Sequence, residues 1–501
     1  MFDTLTRMGA AGAGGTYEIE KSVRFNNNAD DSRFEWTPSG AGNTKVFTFS
    51  CWVKRTLLGV NNQYLIRTDT TFTDRINFDA SDRLVLMCRD NNLLYTTRKF
   101  RDTSAWYHIL VNTNTGNGTA GDRHQIWING VRETAFDANN NLNDLTIAMN
   151  AAGDHHIGGD GSDGFGGYMA EVHLIDGQQI DASNFGETDP DTGQWIPKKY
   201  SGTYGTNGFY LDFKDNSGTT STTLGKDSSG NGNNFTPQNF SVATDDEIAC
   251  DSFSDTPTNN WCTMNVNNNP NGATINNGGL EVNLAYPHGD NGVYASFGVT
   301  SGKWYWEAKC TSAGNRGQVG VTDAGHKSGS NSGYNYSVAT RHTGSTSDTS
   351  GTSNSNLDAV IDSGNWVTFC FDADNGQIWY SREAAPNISG TANVTGLTLG
   401  PGRSWQPHIR ETGNPVSNFT FNFGASAAGF KYGPPNDDYK ALNTANLPEP
   451  TIKNPTDYFN SVLYTGTGTT DQAKTVGFQP DLLWIKKRSH SDDHILSDNV
   501  G

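Results

Sequence analysis

The feature that most constrains the fold of this chain is a two-residue alternation of apolar and polar side chains. In "NFTFNFG", residues 418–424, three phenylalanines alternate with asparagine and threonine. In "GKWYWEAKC", residues 302–310, Trp304 and Trp306 fall on one face of an extended chain, and Tyr305 falls on the other face with the charged residues. Successive side chains of a strand point to opposite faces, so this alternation predicts strands with one buried face.

The two tryptophans have two alternative roles, a platform on which sugars stack or part of a hydrophobic core. A sugar platform would present its rings among hydrogen-bonding side chains, whereas Trp304 and Trp306 share a wholly apolar face. Burying both indoles removes roughly 400 Å² from water, an upper bound of about 10 kcal/mol of stabilisation. We therefore expect both in the core. Tyr305, on the opposite face, is the one aromatic residue of this stretch that remains a candidate to contact a ligand.

The same alternation recurs along the chain, while helical periodicity is nearly absent. The stretch "FDADNGQIWY", residues 371–380, combines two alternating segments with an Asn-Gly turn, which predicts a β-hairpin. One face of "GYMAEVHLID", residues 167–176, is predicted to carry Tyr168, Ala170, Val172 and Leu174. Short strands joined by polar turns predict an all-β fold of tandem β-sandwich, or jelly-roll, domains.

Shifts in composition divide the chain into five parts. We predict a short N-terminal attachment segment, two sandwiches, a linker that contains proline, and the beginning of a further C-terminal β domain. In that order, the predicted boundaries are 1–16, 17–248, 249–430, 431–450 and 451–501.

Composition limits the classes of partner. The net charge of −18 disfavours nucleic acid and anionic lipid, because an acidic surface repels phosphate. It suits neutral glycans or divalent cations. No run of apolar residues approaches the ~18 that a membrane helix needs, so no membrane insertion is expected.

The chain has six cysteines, and its N-terminus lacks the basic and apolar regions of a secretory signal. We therefore expect reduced thiols rather than a disulfide framework. A bridge between Cys250 and Cys262 is the alternative that the spacing leaves open.

Two families share the order of these strands. The set "GKWYWEA", "VGVTDAG", "FDADNGQIWYS", "QPHI" and "FNFG" resembles the SPRY domain, a β-sandwich recognition module without catalytic activity. The set "FTFSCWVK", "WYHILVNTN", "IWINGV", "HHIGGDGSDGFGGYMAEVHLID" and "DSSGNGN" resembles laminin-G-like, concanavalin-type jelly rolls. The stretch 325–356 is a long insertion for a SPRY core. The start "MFDTLTRMGAAGAGG" and the segment "FQPDLLWIKKRSHSDDHIL" resemble bacteriophage virion proteins, particularly lectin-like fibres of marine phages.

The laminin-G resemblance implies a Ca²⁺ site formed by acidic residues in loops. Asp154, Asp160 and Asp163 lie together in "DHHIGGDGSDG" and supply the oxygen ligands that a hard ion needs. The alternative is a solvated glycine-rich loop. His155 and His156 are adjacent, so in a strand they point to opposite faces and make a poor pair for one zinc ion. No other cofactor is expected.

Catalysis by a pair of carboxylates requires both to share a face. In "AEVHLID", Glu171 and Asp176 are five residues apart and are predicted to point to opposite faces, while Glu171 shares its face with His173 as an exposed polar pair. The chain contains no GxSxG nucleophile motif. We therefore expect a protein that is not an enzyme.

If the chain binds a ligand, loops should carry the contact, since strand positions are committed to the cores. Aromatic and basic residues within polar loops are the candidates, and the alternative for each is local packing. They are Tyr334, Tyr336, Arg341 and His342 in "SGYNYSVATRH", and Trp405, His408 and Arg410 in "SWQPHIR".

These observations and resemblances predict a fibre or spike protein on the surface of a phage particle, assembled in the host cytoplasm. Residues 1–16 are expected to order on other virion proteins of the tail or capsid, and the sandwiches to contact host surface glycans. The resemblance to fibres implies a homotrimer. Two alternatives stay open: a purely structural head-fibre, decoration or adaptor protein, and a glycan depolymerase.

Overall fold

A computed structural model of the chain provides the structure. It describes residues 17–27, 32–69, 73–89, 91–269, 272–284, 292–314, 317–323, 361–399, 402–411, 416–468, 472–488 and 490–499, and the backbone of 335–339. These ranges contain strands and short 3₁₀ turns, and no α-helix. The 3₁₀ turns are Ala120–Asp122, Ala182–Asn184, Val266–Asn268, Asn277–Gly279, Thr444–Asn446 and Pro455–Asp457. The predicted all-β fold of tandem sandwiches is confirmed.

The first sandwich is built from the strands that precede residue 254. They are β1 (Ser22–Phe25), β2 (Arg33–Trp36), β3 (Val46–Arg55), β4 (Gln63–Asp69), β5 (Arg75–Phe78), β6 (Arg83–Cys88), β7 (Asn91–Lys99), β8 (Tyr107–Asn114), β9 (His124–Ile128), β10 (Val131–Arg132), β11 (Phe136–Asn139), β12 (Asp154–Ile157), β13 (Gly167–Asp176), β14 (Gly186–Thr188), β15 (Trp195–Pro197), β16 (Phe209–Leu211), β17 (Thr236–Gln238) and β18 (Ser252–Phe253).

These strands form two large antiparallel sheets. The first sheet has the order β10-β9-β8-β3-β13-β1-β18, with β16 also paired to β13, and the second sheet has the order β11-β7-β6-β5-β4-β12-β2-β17. A separate β14-β15 pair lies outside both sheets. Phe47, Phe49 and Ile109 from the first sheet and Phe78 and Leu86 from the second are fully buried in one hydrophobic core. Phe47 and Phe49 are two residues apart on β3 and therefore share the face that points into this core, as the predicted alternation requires.

The second sandwich and the C-terminal segment follow. Their strands are β19 (Thr274–Asn276), β20 (Glu281–Asn283), β21 (Val293–Tyr294), β22 (Lys303–Ser312), β23 (Gly317–Asp323), β24 (Asn335–Ala339), β25 (Trp366–Asp372), β26 (Gln377–Arg382), β27 (Trp405–Glu411), β28 (Asn418–Asn422), β29 (Lys440–Ala441), β30 (Leu482–Ile485) and β31 (Ile495–Asp498). One sheet has the order β19-β20-β28-β22-β25-β26, with β29 paired in parallel to β22, and the facing sheet has the order β21-β27-β23-β24.

The core position of Trp304 and Trp306 is confirmed, since both side chains are buried between these sheets. Trp306 stacks on Phe369 with ring centroids 5.1 Å apart. The same strand, β22, therefore anchors the second sandwich as its alternation predicted.

The opposite face of β22 is also buried, which corrects the prediction of a charged, wet face. Tyr305 and Glu307 are both fully buried, and the Tyr305 hydroxyl donates to Glu307 Oε1 at 2.7 Å. Backbone N–H groups of residues 431–433 donate to the Glu307 carboxylate. Tyr439 packs beside Tyr305, so the first part of 431–450 covers this sheet rather than forming an independent linker.

A β-bulge in β13 corrects the predicted face of that strand. The pairing of β13 with β3 shifts register between Ala170 and His173, and Glu171 has a φ of 50°. This left-handed conformation is uncommon for a residue other than glycine. As a result Tyr168 and Ala170 face the second sandwich, whereas Val172 and Leu174 face the core of the first.

The two sandwiches share an interface on the outward face of the first sheet. Lys54, on β3, is fully buried, and its ammonium donates to Asp255 Oδ2 at 2.8 Å, to Asn260 Oδ1 at 2.7 Å and to the Trp261 carbonyl at 2.7 Å. The other Asp255 oxygen accepts from Trp106 Nε1 at 3.0 Å. Every donor of the lysine therefore has an acceptor, which is the condition under which a buried charge is tolerated.

The two strands of the C-terminal segment are exposed to solvent, unlike central strands of the sandwiches such as β3 and β25. β30 and β31 form a two-stranded hairpin in which every residue is exposed. Its exposed apolar side chains include Leu482, Trp484 and Ile495. Across the part of the chain that the structure describes, there is no helix of sufficient length and apolarity to span a membrane.

All six cysteines are buried and unpaired. Cys250 and Cys262 form no bridge in the structure, and reduced thiols in solution stay a prediction. Burial raises the pKa of the Cys262 thiol to about 12, so this thiol stays protonated at neutral pH.

The interface ion pair generates the first prediction. Replacing Lys54 by Met leaves the Asp255 carboxylate buried without its cation, and we expect unfolding in urea to require about 3 to 5 kcal/mol less free energy. The matched control is Lys45→Met, which removes an exposed pair with Asp144 and should cost less than about 1 kcal/mol. Equal losses in the two variants would contradict the role assigned to Lys54.

Candidate functional site

The outward face of the second sheet carries a cluster of polar and aromatic side chains on its central strands. The strand pairing shows which residues belong to this cluster, because residues directly opposite each other on paired strands share a face. His156 on β12 lies opposite Arg67 on β4, Arg67 lies opposite Arg75 on β5, and Tyr64 lies opposite Asn77. We call this cluster the arginine face and define it as Tyr64, Arg67, Arg75, Asn77 and His156.

Two guanidinium groups share one aromatic ring on this face. Arg67 Cζ lies 5.3 Å and Arg75 Cζ lies 5.9 Å from the centroid of the Tyr64 ring. Both distances are within the range of cation–π attraction. Tyr64 is buried beneath them, whereas Arg67 and Arg75 are each partly exposed to solvent.

The two arginines differ in their counter-ions. Arg67 forms an ion pair with Asp160, and its Nη2 lies 3.5 Å from Asp69 Oδ1. Arg75 Nη1 makes a long contact of 3.5 Å with the Asn62 side-chain oxygen, and none of the described carboxylates forms an ion pair with Arg75. Like charges directly opposite across strands repel each other, so Arg75 is the cation of this face that remains uncompensated.

Several polar atoms on this face are buried without a hydrogen-bond partner among the described residues. They are Arg67 Nε, Arg75 Nε, Asn77 Oδ1 and His156 Nδ1. A buried polar atom without a partner costs free energy unless a ligand or an ordered water supplies the missing bond. Burial lowers the pKa of His156, so its imidazole is neutral near pH 7.

A second arginine–tyrosine pair on the same sheet provides a comparison. Arg83 Cζ lies 4.8 Å from the centroid of the Tyr95 ring, a distance similar to those on the arginine face. However, Arg83 pairs with Asp79 at 2.7 Å and with Asp137 at 2.9 Å. Its guanidinium is therefore already occupied by carboxylates of the protein, in contrast to that of Arg75.

The three carboxylates predicted to bind Ca²⁺ do not form one ligand set. Asp154 is exposed, and Asp154, Asp160 and Asp163 each contact a different side chain of the protein. Those partners are Thr37, Arg67 and Asn62 respectively. Within the described ranges, no three histidine, cysteine or acidic side chains are grouped as metal ligands. Two of these carboxylates thus bind Arg67 and Asn62 in the structure, and a Ca²⁺ site at the three residues stays a prediction.

The residues predicted to bind a ligand from the loop "SWQPHIR" lie instead on a buried strand. Trp405, His408 and Arg410 belong to β27, which lies between β21 and β23, and all three are buried. Arg410 Nε donates to the Gln318 side chain. Their loop placement was wrong: Trp405 packs in the hydrophobic core of the second sandwich with Ile409, whereas His408 and Arg410 are buried on the other face of β27.

The other predicted binding residues lie at the long insertion. Tyr334, Arg341 and His342 fall outside the residues that the structure describes. The backbone of Tyr336 lies in β24, opposite Val321 of β23. A ligand-binding role for these four residues stays a prediction.

The outward face of the first sheet holds a small cleft around Glu171. Its lining residues are Tyr17, Ser50, Trp52, Glu171, His173, Phe185, Pro197 and Lys198. The Glu171 carboxylate accepts from the Tyr17 hydroxyl at 2.8 Å and from the Tyr210 hydroxyl at 2.5 Å, and His173 Nε2 lies 3.6 Å from it. Glu171 and His173 are adjacent as predicted but buried rather than exposed. Each oxygen of the Glu171 carboxylate thus already accepts a hydrogen bond from a tyrosine of the protein.

A buried histidine lies beside this cleft. Trp195 Nε1 donates to His108 Nδ1 at 3.1 Å, so that nitrogen is unprotonated, and His108 Nε2 lies 2.9 Å from Ser50 Oγ. Burial, with a smaller contribution from His173, lowers the pKa of His108 to about 3. The His108 imidazole is therefore neutral near pH 7, where its two nitrogens contact Trp195 and Ser50.

Two family models match parts of the chain. Residues 28–180 match the model of the concanavalin A-like lectin/glucanase superfamily, which supports the laminin-G-like prediction for the first sandwich. Residues 454–501 match the model of a domain of unknown function, DUF7483. No curated protein matches the chain.

Three of the solved structures to which the chain is similar follow. A heptameric SAP-like pentraxin from Limulus polyphemus is 14% identical with a TM-score of 0.25, over 32% of this chain and 78% of the pentraxin. A putative carbohydrate-binding protein from Bacteroides ovatus is 18% identical with a TM-score of 0.30, over 44% of this chain and 58% of that protein. The SPRY domain of human HERC1 is 15% identical with a TM-score of 0.22, over 31% of this chain and 92% of that domain.

His108 generates a prediction about pH. Its folded-state pKa lies below the unfolded value of 6.5, so the unfolded chain binds more protons and stability falls as the pH drops below 6.5. Between pH 7 and pH 5 we expect His108 to account for about 2 kcal/mol of lost unfolding free energy. In urea unfolding at both pH values, the unfolding free energy of His108→Gln should therefore fall by about 2 kcal/mol less than that of the parent. An unchanged pH dependence in His108→Gln would refute this role.

Proposed function

We propose that this chain recognises carbohydrate through the arginine face of its first sandwich, as part of a phage fibre or spike. The observation that carries the proposal is the pair of guanidiniums on one buried tyrosine ring, with Asn77 Oδ1 and His156 Nδ1 on the same face buried without protein partners. Aromatic and polar groups that converge in this way suit a ligand rich in hydroxyls. The match of residues 28–180 to a lectin/glucanase superfamily agrees with this class of ligand.

Competition for the two outward faces of the first sandwich favours the second sheet as the binding surface. On the first sheet, Trp52 and Tyr168 pack in the hydrophobic cluster that includes the second sandwich. Phe185 and Tyr200 cover another part of that face. Since these contacts occupy the first sheet, the second sheet is the better position for a ligand.

The proposal is tested on a glycan array with the full chain. We expect the parent to bind a subset of glycans, and Arg75→Ala to bind them at least about tenfold more weakly, because one uncompensated cation is lost. Arg83→Ala is the matched control: it removes an arginine over a tyrosine on the same sheet, and its binding should equal that of the parent. A parent chain that binds no carbohydrate would favour the structural alternative.

The array cannot distinguish a lectin from a depolymerase, so the bound glycan is also incubated with the protein and assayed for new reducing ends. We expect none. Sustained release of reducing ends would overturn the proposal of a protein that is not an enzyme and favour the depolymerase.

Attachment to the particle is a separate part of the proposal. We expect a phage that encodes the chain without residues 1–16 to yield particles that lack it, because this segment is proposed to order on a tail or capsid protein. The purified truncated chain should bind glycans as the parent does. Incorporation at the parental level would contradict the proposed anchor.

The same chain preparation tests the expected homotrimer. Its mass in solution is measured by light scattering, and a monomer would contradict the prediction from the resemblance to fibres.

A further inference from the structure

We infer that the ligand of the arginine face is a sugar that carries a carboxylate, an inference that rests on the proposed carbohydrate recognition. The reasoning concerns charge. The chain as a whole has a net charge of −18, yet this face places two arginines directly opposite each other on adjacent strands. Direct opposition of like charges is destabilising unless an anion lies between or beside them.

The protein supplies only part of the required negative charge. Asp160 and Asp69 lie beside Arg67, and Glu35 Oε1 lies 3.9 Å from the neutral His156. Arg75 has no such carboxylate among the described residues, although its side chain is partly withdrawn from water. An anion from the ligand would complete the set at Arg75.

Geometry on Arg75 favours a planar, two-oxygen anion. A guanidinium presents Nε and an Nη as parallel donors, and a carboxylate accepts from both. For Arg75 these two donors are Nε and Nη2, and neither has a hydrogen-bond partner among the described residues, while Nη1 makes just the long contact to Asn62. Both donors of this fork therefore lack an acceptor from the described part of the protein, and a carboxylate would supply one for each.

A neighbouring acceptor favours a sugar over a simple anion. Asn77 lies two residues along β5 from Arg75, on the same face, and its buried Oδ1 has no donor while its Nδ2 donates to the Phe78 carbonyl. An oxygen that lacks a donor repels a bare anion but accepts from a hydroxyl. A ligand with both a carboxylate for Arg75 and a hydroxyl for Asn77 satisfies the two groups together.

The test uses an array with three classes of glycan and the full chain. Carboxylated members are sialylated glycans, oligogalacturonate and hyaluronate; the others are sulfated galactans and neutral glycans. We expect binding to carboxylated members, reduced by raising the salt concentration from about 50 to 500 mM because part of the contact is exposed to solvent. The strongest binder is then compared with its carboxyl-reduced form, in which each carboxylate becomes a neutral hydroxymethyl group, and we expect at least about tenfold weaker binding.

Arg75→Gln assigns the preference to its residue. This variant should bind the charged and carboxyl-reduced forms within about twofold of each other, while Arg83→Gln should retain the parental preference. Thermal unfolding of both variants checks that they are folded, and a folded Arg75→Gln that keeps the full preference would overturn the inference.

The outcomes separate this inference from the proposed function. Binding to neutral glycans alone overturns the acidic sugar and leaves carbohydrate recognition intact. Binding to sulfated but not carboxylated members overturns the carboxylate. Binding to no class of glycan removes the proposed function, and the inference with it.

Discussion

The structure depends on the buried ion pair between Lys54 and Asp255. Lys54 extends from the first sheet, and Asp255 belongs to the segment that leads into the second sandwich, so the pair joins the two domains. Because a buried ammonium must have acceptors for its protons, Asn260 and the Trp261 carbonyl are also held against the first sheet. This interface commits the outward face of the first sheet to packing and leaves function to other surfaces.

The arginine face lies on the other sheet of the first sandwich, not on the sheet that forms this interface. Two acidic residues of "GDGSDG" lie near the arginine face, where Asp160 pairs with Arg67 and Asp163 accepts from Asn62. A charge-assisted hydrogen bond from a guanidinium within reach is strong, so Asp160 is held at Arg67. Arg83, with two carboxylates of its own, shows how this sheet treats an arginine that has a structural role.

Much of the fold could be predicted from the sequence because alternation is a local property. Trp304 and Trp306 are buried in the core as expected, because the sequence of a strand by itself shows which of its faces is apolar. Tyr305 and Glu307 did not follow the prediction, because residues 431–433 return from more than a hundred positions away to cover them. No local pattern around β22 contains that contact. At β13 the prediction failed for another reason: one left-handed residue, Glu171, reverses the faces of the residues on either side of it.

The arginine face was missed for the same two reasons. Arg67 and Arg75 are eight residues apart, and the register between β4 and β5 alone makes them neighbours. Residues 64 and 67 would point to opposite faces of a regular strand, since their spacing is odd. The pairing of β4 with β5 shifts between Tyr64 and Ile66, and this irregularity places the Tyr64 ring on the same face as the Arg67 guanidinium. The site thus depends on a departure from the alternation that defines the fold, which is why alternation alone could not locate it.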